Sequence, residues 1–417
     1  MAVSETLNLL KKKLLKILGF LILVRLGLFI PVPGVDLDVL PQNQVTNSLV
    51  GLARNLTGSS FLSIGSLGIL PYINASIAIQ LLTQTIPALQ RLQKEEGELG
   101  QQQIRRYTRY LAFGWALILS AGLAFTTIKP VVFNWSIQLA LKIILSLTTG
   151  SMLSMWFSEL ITNENLGNGS SMIIFINIIG GLPPSINESF KNLNSASSVN
   201  NLSTIFIAFV LYLLIVSVIV LVQDSYKKVN IVSARQLNYN SQEQNSKYSE
   251  LKNSYIPIKL NQGGILPLVF STTLSAFLLY PIQLLLKSTV GSSLVVLTSY
   301  GLNIVLVVFF STFFALVTLK PKELSESLTK TAYNIPGLKQ GKETTQYLEQ
   351  VISRLAFMGG LFLAFLAIFP LVLGNLFSFN IFKNLTSLLI LIGVITDVSS
   401  QIRGYLVSQN YESFKKA

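Results

Sequence analysis

Residues Gly58–Leu82 read GSSFLSIGSLGILPYINASIAIQLL, and the two parts of this stretch obey different rules. Gly58–Gly68 holds seven Gly or Ser in eleven residues, too short and polar to cross a bilayer yet too apolar for a plain loop. The second part places Pro71 where a helix would begin and continues as an apolar run that carries Asn74, Ser76, Gln80, Thr83 and Gln84. Irregular backbone at membrane depth survives only where protein packs around it or it lines an aqueous cavity. A re-entrant segment here therefore predicts an internal funnel, with a surface amphipathic loop as the plain alternative. The polar side of the following helix points the same way, because unpaired amides facing lipid are costly. Polar contacts between helices would also account for any one of these residues.

Outward from this stretch, the rule of about 20 apolar residues per helical span divides the chain into ten runs. They are Leu14–Val32, Ile69–Ile86, Tyr110–Ile128, Ser136–Phe157, Ser170–Leu182, Leu202–Val222, Gly264–Leu286, Leu294–Leu319, Leu355–Leu376 and Leu385–Ile402. Composition agrees: of 417 residues 51% are hydrophobic and 12% charged, against roughly 25% charged in a soluble domain. Cysteine and histidine are both absent. That removes disulfides, thiolate and imidazole metal sites, and Cys or His catalysis, which argues against redox, haem and zinc functions. The N-terminus carries a basic stretch before its apolar run, as a signal peptide does, but it lacks a small-residue cleavage site and is read as a retained first span. It is not Arg- and Ser-rich like a transit peptide either, so for an organellar protein synthesis inside the organelle is expected.

The net charge of +13 is distributed unevenly. With ten spans, 24 of the 31 Lys and Arg fall on the side of both termini, six fall opposite, and Arg25 lies within the first run. Loop asymmetry of this kind places both termini and the loops Leu89–Arg109, Asp224–Lys259 and Lys320–Arg354 on the side of synthesis. The insertion rule alone could explain the basic loops. Five spans per half means that two related halves must be inverted with respect to each other, and GILP recurs at Gly68–Pro71 and Gly264–Pro267, opening spans 2 and 7. Span 7 also shares polar character, with Ser271, Thr272 and Thr273. Asp397, near the end of span 10 with Arg403 six residues on, and Arg25 are two isolated charges, a poor proton relay.

Several long segments then carry a family resemblance. FIPVPGVD at Phe29–Asp36, LGILPYINASIAIQLL at Leu67–Leu82, LGNGSSMIIFINIIGGLP at Leu166–Pro183, IPIKLNQGGILPLVFS at Ile256–Ser271 and IPGLKQGKET at Ile335–Thr344 resemble the SecY family of protein-conducting channels. KEEGELG at Lys94–Gly100, RRYTRY at Arg105–Tyr110 and SQNYE at Ser408–Glu412 add to them, in the family's order across the chain. The LVRLGLFIPVPGVD and PYINASI forms look most like plastid and cyanobacterial members.

The resemblance implies an all-α polytopic membrane protein with ten transmembrane helices in two inverted five-helix halves, residues 1–200 and 201–417. A plug falls at about Leu49–Ser66, and a lateral gate between spans 2 and 7 includes Asn74, Gln80, Thr272 and Thr273. By motif, the pore ring is Ile69, Ile73, Ile174, Val269 and Ile390, a branched aliphatic constriction that would exclude ions by dewetting; ordinary helix packing is the alternative for each residue. Lys227, Lys228 and Arg235 after span 6 and Lys339 after span 8 would dock a SecA motor or a ribosome. The family's bacterial members usually carry Arg at the Lys339 position, and Lys lacks its planar fork. Loop 238–250, NYNSQEQNSKYSE, is likewise less basic than the family's version. A SecE-like small subunit, a SecG-like subunit and signal-bearing preproteins complete the implied partners, and no cofactor or metal is expected. No GxxxxGK[ST] motif occurs, so the energy source lies outside the chain and no enzymatic step is expected. The expected location is a plastid thylakoid membrane, or a bacterial inner membrane, with both termini on the stromal or cytoplasmic side. The rivals are a small-solute secondary transporter, which would need convergent charged groups at mid-membrane, and a membrane enzyme, for which no acidic pair lies within the spans.

Overall fold

The computed structural model describes residues 2–34, 63–94, 97–129, 132, 135–164, 167–195, 201–233, 254–264, 266–286, 292–377 and 385–416. Within them a helix covers most of each of the ten apolar runs, the first of which leaves the helix after Gly27. The helices are α1 (Ala2–Gly27), α2 (Leu70–Thr85), α3 (Pro87–Lys94), α4 (Gly97–Leu123), α5 (Ile137–Asn163), α6 (Gly169–Ser195), α7 (Asn201–Asp224), α8 (Leu266–Leu286), α9 (Ser292–Leu319), α10 (Pro321–Lys330), α11 (Lys342–Phe377) and α12 (Leu385–Lys416). Among the described residues, Ile137–Asn163, Gly301–Lys330, Lys342–Phe369 and Ser387–Gly404 are long and apolar enough to cross a membrane. Hydroxyls inside these helices are absorbed locally. Thr148 Oγ1 donates to Ile144 O at 2.7 Å and Ser154 Oγ to Gly150 O at 2.9 Å, so Ser and Thr sit in apolar helices without an orphan donor.

The chain forms two compact units, residues 1–206 with 373–417, and residues 207–372. In the first, α2 packs on α4, α4 on α5 and α5 on α6, while α1 lies against α5 and α6. Small side chains permit the close approach: Ala75 and Ala112 are buried together with Met155. The last helix, α12, packs on α6 and α1. It thus groups with the first unit, although counting spans assigns it to residues 201–417; a spatial grouping follows packing partners rather than chain order.

In the second unit short strands join the helices. The segments read as loops contain β1 (Tyr226–Asn230), β2 (Val232–Ser233), β3 (Tyr255–Lys259) and β4 (Tyr333–Asn334). β1 pairs antiparallel with β3, and β2 with β4. The reason is a short alternation in YKKVN and YIPIK that turns Val229 and Ile258 inward, both nearly inaccessible. They join Leu328 of α10, Ile335, and Leu348, Val351 and Ile352 of α11 in one apolar core.

The repeated GILP corresponds to a repeated backbone device. Gly68 and Gly264 both take left-handed φ, 51° and 60°. The Gly68 N–H donates to Gly65 O at 2.8 Å and the Gly264 N–H to Asn261 O at 3.2 Å, closing the same four-residue turn just before α2 and α8. A side chain at either position would meet the steric cost of that φ, which glycine avoids.

Candidate functional site

The end of the Gly/Ser-rich segment is the first element of the site. Its Ile64 N–H donates to Ile30 O at 2.9 Å and its Gly65 N–H to Gly27 O at 3.3 Å, and Ser63 forms an antiparallel bridge with Pro31. A Cβ on Gly65 would lie 2.7 Å from Leu28 Cδ2, and one on Gly150 of α5 only 2.1 Å from Ile64 O. The turn over residues 63–68 is therefore clamped between the end of α1 and the middle of α5. That is irregular backbone packed within protein. Residues 49–62 of the expected plug lie outside the described residues.

This turn delivers the chain into α2. Ile69 directly precedes the helix, Pro71 occupies its first turn, and the Ile73 N–H donates to Ile69 O at 3.1 Å. One helical turn apart, Ile69 and Ile73 share a face and are 3% and 5% exposed. Ile174 on α6 and Ile390 on α12 are likewise buried, on helices that pack against each other. Four of the expected ring residues thus lie buried in the first unit; Val269, on α8, is buried in the second.

The four expected lateral-gate residues differ in kind. Asn74 is 1% exposed, and neither its Nδ2 nor its Oδ1 has a hydrogen-bond partner within the protein. Gln80 is exposed, with its amide 3.4 Å from Ser76 Oγ. Thr272 and Thr273 donate to carbonyls of their own helix, Thr273 to Val269 O at 2.9 Å and Thr272 to both Leu268 O and Val269 O at 2.9 Å. Asn177 of α6, one turn beyond Ile174, adds a second buried amide oxygen without a partner. Residue-by-residue reading missed it, and its signal was present: an Asn in the run IIFINIIGG.

Charged residues form a separate layer. The Arg109 guanidinium grips the Glu159 carboxylate with two bonds, Nε to Oε1 at 2.9 Å and Nη2 to Oε2 at 2.7 Å, tying α4 to α5. Lys16 Nζ reaches Glu164 Oε1 at 3.2 Å, and Lys13 Nζ reaches Glu164 O at the same distance, tying α1 to the end of α5. Charge counting read these cations only as topological markers; fifty residues of separation between Arg109 and Glu159 left no local signal of the pair. Arg25, inside the first apolar run, lies flat on α6: a Cβ on Gly180 would stand 2.2 Å from its guanidinium carbon.

Three of the four expected docking residues, Lys227, Lys228 and Lys339, lie in the second unit. Lys227 and Lys228 are exposed on β1, opposite Ile258 and Pro257 of β3. Lys339 is exposed at the tip of Ile335–Thr344, where its N–H donates to Glu343 Oε2 at 3.1 Å and its carbonyl accepts from Thr344 Oγ1 at 2.8 Å. Gly337 and Gly341 supply the left-handed turns, φ 81° and 96°, and Ser325 Oγ of α10 donates to Gly341 O at 3.3 Å. Ile335 anchors this tip in the core that also holds Val229 and Ile258, so the segments that carry the three lysines share one apolar core. Arg235 lies outside the described residues.

A model of the SecY family matches residues 63–399. That span runs from the clamped turn into α12. The chain belongs to the SecY family. A protein translocase subunit SecY from Emiliania huxleyi is 59% identical over 99% of both chains, and one from Guillardia theta is 42% identical over 97% of this chain and 96% of its own. The fold is that of solved protein-conducting channels. One, described as the structure of a protein conducting channel, superposes with a TM-score of 0.62 at 14% identity, covering 94% of this chain and 92% of its own. Another, Sec61 in a canine ribosome-channel complex, gives 0.59 at the same identity and coverage. As a SecY-family chain, the protein is an integral, multi-pass membrane protein, and the segments the family model covers include all five ring positions and Lys227, Lys228 and Lys339.

Proposed function

We propose that this chain is the central channel of a Sec protein translocase, passing unfolded preproteins across a membrane and releasing their apolar segments sideways into lipid. One observation carries the reading: Ile69, Ile73, Ile174, Val269 and Ile390 are all buried aliphatics, 6% exposed or less, with Ile69 and Ile73 at the start of α2 beside the clamped turn and Val269 at the start of α8 just after its GILP counterpart. Such a ring yields around a passing chain yet offers ions no solvation. The solute-transporter alternative would require charged or ion-binding groups in their place.

The same reading assigns ten spans in two inverted halves, divided near residue 200, with the plug within 49–66 and the gate between α2 and α8. The paired glycine turns at Gly68 and Gly264 support the inverted relation. Both termini face the stroma or cytoplasm. Relatives in algae favour a thylakoid membrane. A SecE-like and a SecG-like subunit would accompany the chain. A SecA motor or a ribosome would dock on Lys227, Lys228, Arg235 and Lys339, and the channel itself performs no catalytic step.

Reconstitution tests the function. Proteoliposomes holding the chain with its small subunit and a motor should protect a signal-bearing preprotein from external protease in an ATP-dependent way. Uptake of small solutes with no preprotein protection would support the transporter instead. Charge reversal of Lys227, Lys228 and Lys339 to Glu should weaken motor or ribosome binding in a salt-dependent manner; unchanged binding at low salt would leave these charges with a topological role only.

A further inference from the structure

The turn before α8 is held in the same way as the turn before α2, and by the same neighbours counted along the chain. In the first unit the Ile64 N–H meets Ile30 O just after α1, and the Ile64 carbonyl lies against Gly150 of α5. In the second unit the Leu260 N–H donates at 3.0 Å to the carbonyl of Ser225, the residue after α7. The Leu260 carbonyl lies against Gly359 of α11, where a Cβ would stand 2.5 Å from its oxygen. Leu260 precedes the left-handed Gly264 by four residues, as Ile64 precedes Gly68. The buried Val269 and Ile73 each follow their held carbonyl by nine. Helices α1, α2 and α5 carry the first, second and fourth apolar runs, and α7, α8 and α11 the sixth, seventh and ninth, so each partner recurs five runs later.

Close packing through glycine would explain either contact alone. It would not place both on the same residue of the turn, with the same offset to the left-handed glycine and to the ring position. A carbonyl pressed on a bare Cα leaves no room for a side chain between them, so each contact fixes how far its turn advances toward the glycine-bearing helix. The helix that follows passes that position on: α2 begins at Leu70, three residues before Ile73, and α8 at Leu266, three before Val269. The next glycine of α11 does something else. A Cβ on Gly360 would meet Ser311 Cβ at 2.9 Å and Val308 Cα at 3.1 Å, both on α9, so Gly360 serves helix packing and touches no turn.

We infer that Gly150 and Gly359 are paired positioning residues that set the resting place of Ile73 and Val269, one glycine for each gate helix. This inference rests on the channel reading and adds to it two residues outside the ring, the plug and the gate.

The test uses the full chain with its small subunit in planar bilayers and reads the frequency of channel openings, beside thermal unfolding in detergent. Gly359→Ala should raise the opening frequency about five-fold or more, since overpacking that moves the turn falls on the closed state. Gly150→Ala should do the same, and the double variant should multiply the two effects, because the sites lie in separate units and share no partner. Gly360→Ala crowds α9 instead and should lower the unfolding temperature comparably with the opening frequency unchanged, which separates positioning from stability. Leu260→Pro removes the N–H that meets Ser225 and adds nothing between the carbonyl and Gly359. It should open the channel as well, and it supplies the result if Gly359→Ala does not fold. Wild-type opening frequency in Gly359→Ala and Leu260→Pro, while Ile69→Asn leaks, would overturn the positioning role and leave the channel reading standing. A rise in Gly150→Ala alone would overturn the pairing. An equal rise in Gly360→Ala would overturn it as well, by making the openings a general result of loosened packing. No added conductance in any variant, Ile69→Asn included, would overturn the positioning role and the channel reading together.

Discussion

The clamped turn and α2 in the first unit, and the strand-and-helix body of residues 226–352 in the second, solve opposite problems with backbone and polar groups. Around Lys339 the main-chain N–H and C=O are both bonded to side chains within five residues, and the turn glycines fix the tip. Around Ile69 and Ile73, by contrast, Asn74 is buried with its whole amide unpaired within the protein, and Ser63 and Ser66 each bury a hydroxyl in the same condition. A satisfied framework has one arrangement and presents its cations steadily. Orphaned polar atoms carry a cost of about 1–3 kcal/mol each, which water entering the region would relieve. On the proposed reading, the contrast gives a physical reason for a docking surface with one arrangement and a channel lining able to change state.

Three substitutions, with Gly114→Ala as a control for the second, sharpen this contrast, and the largest effect belongs to the strand-and-helix body. Leu348 is fully buried in its core, so Leu348→Ala should destabilise it by about 2–5 kcal/mol. Hydrogen exchange should then rise across β1, β3 and Lys339 and stay unchanged in α2 and α5. Loss of protection spread evenly over both units would contradict their separate cores.

Next comes the clamp. Gly150→Ala drives a methyl into the Ile64 carbonyl, where backbone must move, and should cost about 1–3 kcal/mol. Gly114→Ala meets nothing within 4 Å and should be neutral or stabilising by about 0.5–1 kcal/mol, the helix preference for Ala. Thermal unfolding in detergent compares the two; equal effects would mean that the turn is not held against α5.

The smallest of the three is Asn74→Leu, which removes the orphaned amide at similar volume. It should stabilise the resting state by about 1–2 kcal/mol and make poorer signal sequences harder to translocate. A destabilised protein would show that Asn74 has a partner that matters in the resting state.

The sequence revealed these regions unequally. Helices were legible because an apolar run of about 20 residues has few other fates, and the clamped turn because Gly and Ser at that depth demand packing. The β1–β3 ribbon was not. Each strand is five residues long, and the polar stretch between them hides the pairing of Tyr226 with Lys259. The ring positions came through motif resemblance, since Ile73 or Ile174 alone is indistinguishable from any packed isoleucine. Which polar residues of α2 and α8 satisfy themselves was equally invisible: Thr273 bonds its own helix and Asn74 does not, a difference set by side-chain reach.

The central claim is that buried aliphatics, not a charged filter, seal the channel. Ion conductance across planar bilayers tests it, with Ile69→Asn and Ile390→Asn singly and together. Each amide supplies groups that stabilise water in the constriction, so conductance should rise in each single variant and further in the double. A double variant as tight as the wild type, while Asn substitutions at exposed positions such as Leu82 and Ile395 leak, would contradict the account.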